Sequence, residues 1–288
     1  MRIINFEDFP KLLKEINDPP QRLYIEGLMP DDDLKWLCVV GSRKSSHYGR
    51  EICEKLIAGL VGLPIVIVSG LALGTDGIAH EAALAAGLKT VAVPGSGLDE
   101  EVLYPRSHFQ LARKILESEG ALISEFEPNT IATPYTFPKR NRIMAGLCHA
   151  TLIVEAVDRS GTLITARLAS DYNRDILAVP GSVFSESSYG PHMLIKKGAT
   201  PITCPADIIE ALGLKTEEKQ TDKNSKEKYM DCGEDELQII KMLYSPMPKE
   251  ELIENLSHVF SISQINITLS ILEIKGLIKE TLGEIHLT

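Results

Sequence analysis

The chain has 288 residues, 44% of them hydrophobic, and a formal net charge of −10. That length suits one large domain plus a smaller one, with ample apolar content for a core. No apolar run reaches the roughly 18 residues of a membrane span, and M-R-I-I-N-F-E-D-F lacks a signal-peptide pattern, so a cytoplasmic protein without a membrane anchor is expected.

Short apolar runs alternate with helical patterns from Trp36 onward. Strands are expected at 36–40, 64–69, 89–93, 121–124, 151–155, 175–179 and 200–203, most of them ending in Gly, Pro or Ser. Amphipathic stretches at 49–60, 76–86, 107–117 and 163–172 fall between them. This alternation predicts an α/β fold, a mostly parallel sheet with helices on both faces, whose ligands gather at the carboxyl ends of the strands.

The loops at that edge carry the chemistry. The first reads V-V-G-S-R-K-S-S-H-Y-G-R-E from Val39. Amides of Gly41, Ser42 and the residues after them are expected to form an anion nest, with Arg43 as a fork of donors to phosphate. A plain surface cation is the alternative for Arg43. A dinucleotide fingerprint needs glycine where Arg43 stands, and no G-K-[ST] makes a P-loop. The second loop, I-V-S-G-L-A-L-G-T-D-G-I-A-H, passes through Gly70 into a helix that Thr75 or Asp76 can cap. His80, four residues after Asp76, reads as a packing histidine. The third, A-V-P-G-S-G-L-D, is again glycine-rich.

Between Thr136 and Gly146 the sequence T-F-P-K-R-N-R-I-M-A-G places three cations in four residues. Lys139, Arg140 and Arg142 sit at the expected start of a helix, where the amides and dipole also favour anions. A solvated helix face is the bland alternative. Gly161 and Thr162 of R-S-G-T-L-I-T-A-R open another helix after a strand. Lys196 and Lys197 close a helix in Y-G-P-H-M-L-I-K-K-G-A, either as phosphate ligands or as ordinary C-terminal charge.

Five scattered cysteines (Cys38, Cys53, Cys148, Cys204, Cys232) read as thiols in a reducing compartment, and no Cys/His spacing suggests zinc. No nucleophile elbow, carboxylate cluster or metal set is evident. The site reads as one that holds phosphates without breaking bonds, with no cofactor expected.

Residues 216–233 are nearly devoid of apolar side chains and are read as a linker between a body, 1–215, and a tail, 234–288. From residue 216 onward the chain carries 8 basic and 14 acidic residues. Three helical patterns and two short strands around Gly283 predict a winged-helix-like module. Its acidity favours a protein–protein role over DNA contact.

Taken together, V-V-G-S-R-K, V-S-G-L-A-L-G-T-D-G-I-A-H, Y-T-F-P-K-R-N-R-I-M-A-G-L, S-G-T-L-I-T-A and G-P-H-M-L-I-K-K-G-A resemble the DprA/Smf family of DNA-processing proteins, over residues 20–213. The resemblance implies an extended Rossmann-like domain that binds single-stranded DNA during natural transformation, protects it and loads the RecA recombinase. It further implies a homodimer. Carried over by motif, Arg43, Lys139, Arg140 and Arg142 would bind the strand, with Asn141 and the Gly161–Thr162 turn completing a phosphate pocket. Only about 20 residues precede D-P-P-Q-R-L-Y-I-E-G, a short remnant. The helical sterile-alpha-motif-like domain of many relatives is therefore expected to be absent.

The rival class is a nucleotide-phosphate-hydrolysing enzyme related to the phosphoribohydrolases. Its P-G-G-x-G-T-x-x-E motif has only the partial counterpart P-G-S-G-L-D-E-E at Pro94–Glu101.

Overall fold

In the computed structural model the chain divides into two compact units, Met1–Lys215 and Thr216–Thr288. Residues 1–214, 232–243, 247–281 and 283–287 are described; apart from Cys232 and Gly233, the expected linker lies outside them.

The first unit is built on a nine-stranded sheet, ordered β1-β2-β6-β5-β4-β3-β7-β8-β9. The strands are β1 (Arg2–Asn5), β2 (Arg22–Gly27), β3 (Lys35–Val40), β4 (Ile65–Ser69), β5 (Lys89–Ala92), β6 (Ala121–Ser124), β7 (Ala150–Ile153), β8 (Asp175–Ala178) and β9 (Thr200–Pro201). From β6 to β9 all neighbours are parallel, while β2 runs antiparallel to both β6 and β1. The two antiparallel strands were not anticipated. The first 20 residues pack into the first unit. Besides β1 they supply helix α1 (Lys11–Lys14), whose Leu13 is buried in the main core.

The central strands are apolar on both faces, as in a sheet covered on both sides. Along β3, Leu37 and Val39 face one core, and Cys38 and Val40 face the other, following the period of two. Helices α2 (His47–Ala58), α3 (Thr75–Ala85) and α8 (Pro205–Ala211) pack on the first side through Leu56, Ile57, Ile78 and Ile208. Helices α5 (Thr136–Leu147), α6 (Gly161–Asp171) and α7 (Tyr189–Lys196) cover the second through Ile143, Met144, Ala166 and Leu194. Helix α4 (Phe109–Glu117) buries Leu111 and Ile115 against Leu122 of β6.

The strand order reverses at β3. Successive strands β4, β5 and β6 step away on one side, and β7, β8 and β9 on the other. Loops leaving β3 and β7 therefore diverge, opening a crevice where open α/β sheets take their ligands.

The second unit comprises α9 (Glu234–Met242), β10 (Met247–Pro248), α10 (Lys249–Leu256), α11 (Ile262–Ile274), β11 (Ile278–Thr281) and β12 (Glu284–Leu287). Its three strands pair antiparallel in the order β10-β12-β11. Ile239, Leu252, Leu256, Ile265, Leu269, Leu272 and Ile285 fill its core. No helix among the described residues is long and apolar enough to cross a membrane.

Candidate functional site

At the switch point lies a cavity of about 720 Å³, lined by the loop after β3 (Gly41–Lys44), the start of α5 (Phe137, Arg140, Asn141) and the start of α6 (Ser160–Thr162). Most sequence-nominated groups converge here, but they divide into structural and available ones.

Arg140 is structural. It is 4% exposed, donating from Nη1 to the carbonyls of Gly70 and Val93 and from Nε to Asn141 Oδ1. One guanidinium thus ties together the chain ends leaving β4 and β5. Burial pulls its pKa down, opposed chiefly by the nearby charge of Asp76. Asp76 is itself buried. Desolvation raises its pKa, while Arg140 and the amides of Ala72 and Gly70 hold it down. It does not cap α3, as expected, but serves as counter-ion to Arg140.

Gly70 is correspondingly not an open amide. Its N–H is taken by Asp76, and a side chain there would run into Arg140 and Asp76. Asn141 donates to the carbonyl of Gly161, and Thr162 Oγ1 donates to that of Gly41. Both line the cavity while these bonds fasten its walls together.

The anion nest expected at Gly41–Lys44 is also partly closed. The Lys44 N–H donates to Ser42 Oγ, and the Ser42 carbonyl accepts from Thr75 N. Gly41 lies so close to Thr75 that a Cβ would clash with it. Beyond this loop, the seat at the N-terminus of α2 is filled by Glu155, which sequence reasoning passed over. Its carboxylate accepts from Ser46 N at 2.9 Å, Ser46 Oγ at 2.6 Å, Ser45 Oγ at 3.2 Å and Ser187 Oγ at 2.7 Å. Burial works to raise its pKa, but these bonds outweigh it and the pKa is lowered. The clue in the sequence was an acidic residue ending an apolar strand run, with a serine pair elsewhere to receive it.

Arg43 remains exposed, and its guanidinium stacks over the ring of Phe137 at 4.8 Å from the centroid. Lys44 is exposed beside it, and Lys139 is exposed two residues beyond Phe137. The α6 N-terminus at Gly161 is open, with nothing within 4 Å of where a Cβ would stand. The cavity walls between these groups are apolar, including Pro134, Phe137, Val157 and Ile164.

Gly70 and Lys139 do not line the cavity. Lys139 lies toward Glu125, whose pKa burial raises while Arg142 and Lys139 hold it down. Two further nominated sets fall outside the cavity. Arg142 is turned to another side of α5, paired with Glu125 and Asp18 and bonded to the Asp18 carbonyl. Lys196 and Lys197 end α7, which runs back from the carboxyl end of β8 to the start of the parallel strand β9. They lie at the opposite edge of the sheet.

The model of the family described as DNA recombination-mediator protein A matches residues 1–213. The chain belongs to this family. Relatives of DNA recombination-mediator protein A that it resembles include Protein Smf of Escherichia coli, 43% identical over 206 residues, covering 72% of this chain and 54% of that protein. It is likewise 43% identical over 203 residues to the DNA processing protein DprA of Streptococcus pneumoniae, covering 70% of each. The chain thus spans little more than half of the Escherichia coli relative. Among solved structures, Streptococcus pneumoniae DprA matches with a TM-score of 0.67 and 40% identity, covering 73% of each chain. Helicobacter pylori DNA processing protein A, whose structure concerns its single-stranded DNA binding mode, matches with a TM-score of 0.65 and 29% identity, over 74% of this chain and 96% of that one. These likenesses are confined to about three quarters of the chain.

Proposed function

We propose that the chain binds single-stranded DNA at the switch-point crevice and acts as a recombination mediator in transformation. The observation that carries this reading is the Arg43–Phe137 pair at the cavity mouth, a free cation laid on an aromatic face. Single strands are held by cations along the backbone and by stacking of bases on apolar and aromatic surfaces. Arg43, Lys44 and the open α6 N-terminus supply the first, with Lys139 exposed on the first turn of α5 outside the cavity, and Phe137 with its apolar neighbours the second. The relatives support the class of ligand, since one solved neighbour is described by its single-stranded DNA binding mode.

RecA as the partner receiving the strand, and a homodimer through the first unit, are part of the same proposal and rest on the family. A role as a binder and not a catalyst is in keeping with the carboxylates at the cavity and beside it. Asp76 is committed to Arg140 and Glu155 to three serines. The tail is proposed to be winged-helix-like from its element order. Filter binding of single-stranded and duplex DNA over a salt series tests the central claim. Preference for single strands with steep salt dependence is expected, and equal, salt-insensitive retention of both would refute it.

A further inference from the structure

The loop between β8 and α7, residues 179–188, stands on the carboxyl edge of the sheet beside the loop after β7, and so next to the crevice. Its base is stitched to the crevice walls. Tyr48 Oη of α2 donates to the Pro180 carbonyl at 2.6 Å, the Ser187 carbonyl accepts from Ala156 N at 2.8 Å, and Ser187 Oγ donates to Glu155 at 2.7 Å. Ser187 itself lines the cavity. At the tip a turn closes from the Ser185 N–H to the Ser182 carbonyl, and the Phe184 N–H is held by Ser182 Oγ. That turn presents Phe184, 96% exposed and the most exposed large apolar side chain among the described residues. We propose that Phe184 is a second stacking platform for single-stranded DNA. The strand then runs from Phe137 along the sheet edge, past the head of α6, to the loop after β8.

This rests on the crevice being the seat of the strand, and continuity with that crevice is what selects the occupant. Single-strand sites on OB folds take about 4–16 nucleotides, so a polymer seated in a cavity of about 720 Å³ must leave it over a neighbouring loop. The strand order β3-β7-β8 fixes which loops come next on one side. The loop after β7 carries Arg159, which is exposed, its Nε 3.9 Å from Asp158 Oδ2. The loop after β8 carries Phe184. A cation and a ring thus recur along the rim, first as Arg43 with Phe137 and then as Arg159 and Phe184.

The surroundings of the ring suit a base and not a protein. Its neighbours Ser182 and Ser185 are short, and Ser185 Oγ is bonded to Ser187 Oγ at 2.9 Å. Apolar support within the tip is limited to Val183, which is also exposed, so the ring lacks the enclosing rim of a protein hot spot. Glu186, exposed two positions on, turns phosphates away from the tip. The strand would therefore meet Phe184 with a base, and stacking there is sequence-tolerant because every base has a π-face.

The test compares the full-length parent, Phe184→Ala, Phe184→Trp and Arg43→Ala on oligothymidylates of about 4 to 16 nucleotides, by fluorescence anisotropy. Phe184→Ala is expected to weaken binding of the longest strands at least about fivefold and to leave the shortest unaffected. Phe184→Trp is expected to restore the lost affinity, and its added indole fluorescence to be quenched on binding. Arg43→Ala should weaken every length. Equal affinity of parent and Phe184→Ala at every length, with Arg43→Ala impaired, would overturn the second platform and leave the crevice reading standing. Unquenched fluorescence of Phe184→Trp in saturating DNA would also overturn it, and leave the ring to a protein partner. If Arg43→Ala matches the parent throughout, the crevice reading fails and the platform with it.

Discussion

The guanidinium of Arg43 sits 4.8 Å from the centre of the Phe137 ring, joining the loop after β3 to the first turn of α5. A cation held flat on a ring is oriented without being neutralised, so its charge stays available to a phosphate. Arg43→Ala is therefore expected to weaken single-strand binding and to flatten the plot of log affinity against log salt by about 0.7. Phe137→Ala is expected to cost about 1–3 kcal/mol of affinity through lost stacking, with less change in slope. Filter binding between 50 and 200 mM salt, on the order used to resolve such slopes, separates the two. An unchanged slope for Arg43→Ala would remove it from the interface.

Arg140, three residues further along the same helix, behaves differently. Its loss strands the buried Asp76 and frees three hydrogen-bond acceptors. Arg140→Ala is expected to destabilise the first unit by about 3–5 kcal/mol, whereas Arg43→Ala stays within about 0.5 kcal/mol of the parent. Urea unfolding monitored at Trp36, a core residue of the first unit, measures both. Equal stability of the two variants would show that the buried pair contributes nothing.

Gly161 offers a cleaner probe of where the strand lies. It opens α6, and no atom stands near its missing Cβ. Gly161→Ala is expected to leave stability unchanged or raise it slightly, since alanine suits a helix better than glycine. If the DNA backbone meets the helix end there, affinity falls severalfold. Unaltered affinity would place the strand elsewhere along the crevice.

Acid is expected to loosen the first unit through two groups. Glu155 has a folded pKa below its usual value of 4.5. The unfolded chain therefore binds its proton more readily, and the stability it contributes is complete above about pH 4.5 and lost as pH falls through the folded value. His80, buried against Thr90, is pushed down to about 3, mainly by burial. Between pH 6.5 and 3 only the unfolded chain takes up its proton, so stability again declines with acid. Melting temperature should fall from pH 7 to pH 4.5 through His80, and further below pH 4.5 as Glu155 is protonated. A flat profile in the first interval would contradict the His80 assignment, and an unchanged slope below pH 4.5 on removing Glu155 would contradict that of Glu155. Glu155→Gln, which weakens charge-assisted bonds, is expected to cost about 1.5–3 kcal/mol at neutral pH.

Lys196→Ala with Lys197→Ala should leave single-strand affinity of the first unit's crevice unaffected, because the pair lies at the other edge of the sheet. A loss comparable to that of Arg43→Ala would mean that the strand wraps around the molecule.

The parallel core was legible because Leu37, Val39, Ile65, Ile67 and their neighbours form uninterrupted apolar runs closed by turn residues. Strands β1 and β2 were not, since R-I-I-N and R-L-Y-I-E-G are short and polar-edged; β2 is held by pairing to β6, which lies far along the chain, and β1 only by pairing to β2. At the site, the loop pattern placed Arg43 and Gly161 at one edge of the sheet, and both line the crevice there; the ring of Phe137 under Arg43 was not anticipated. The pattern could not tell that neighbours on α5 point apart, Arg140 into the sheet and Arg142 toward Glu125. Helical geometry turns successive side chains by about 100°, so Arg140 and Arg142, two positions apart, face different ways. Glu155 was missed because its partners, Ser45, Ser46 and Ser187, come from two separate loops.

Where dinucleotide enzymes seat a pyrophosphate, at the head of the first crossover helix, this molecule has placed a carboxylate of its own. A phosphate approaching the head of α2 would therefore meet a negative charge and not bare amides.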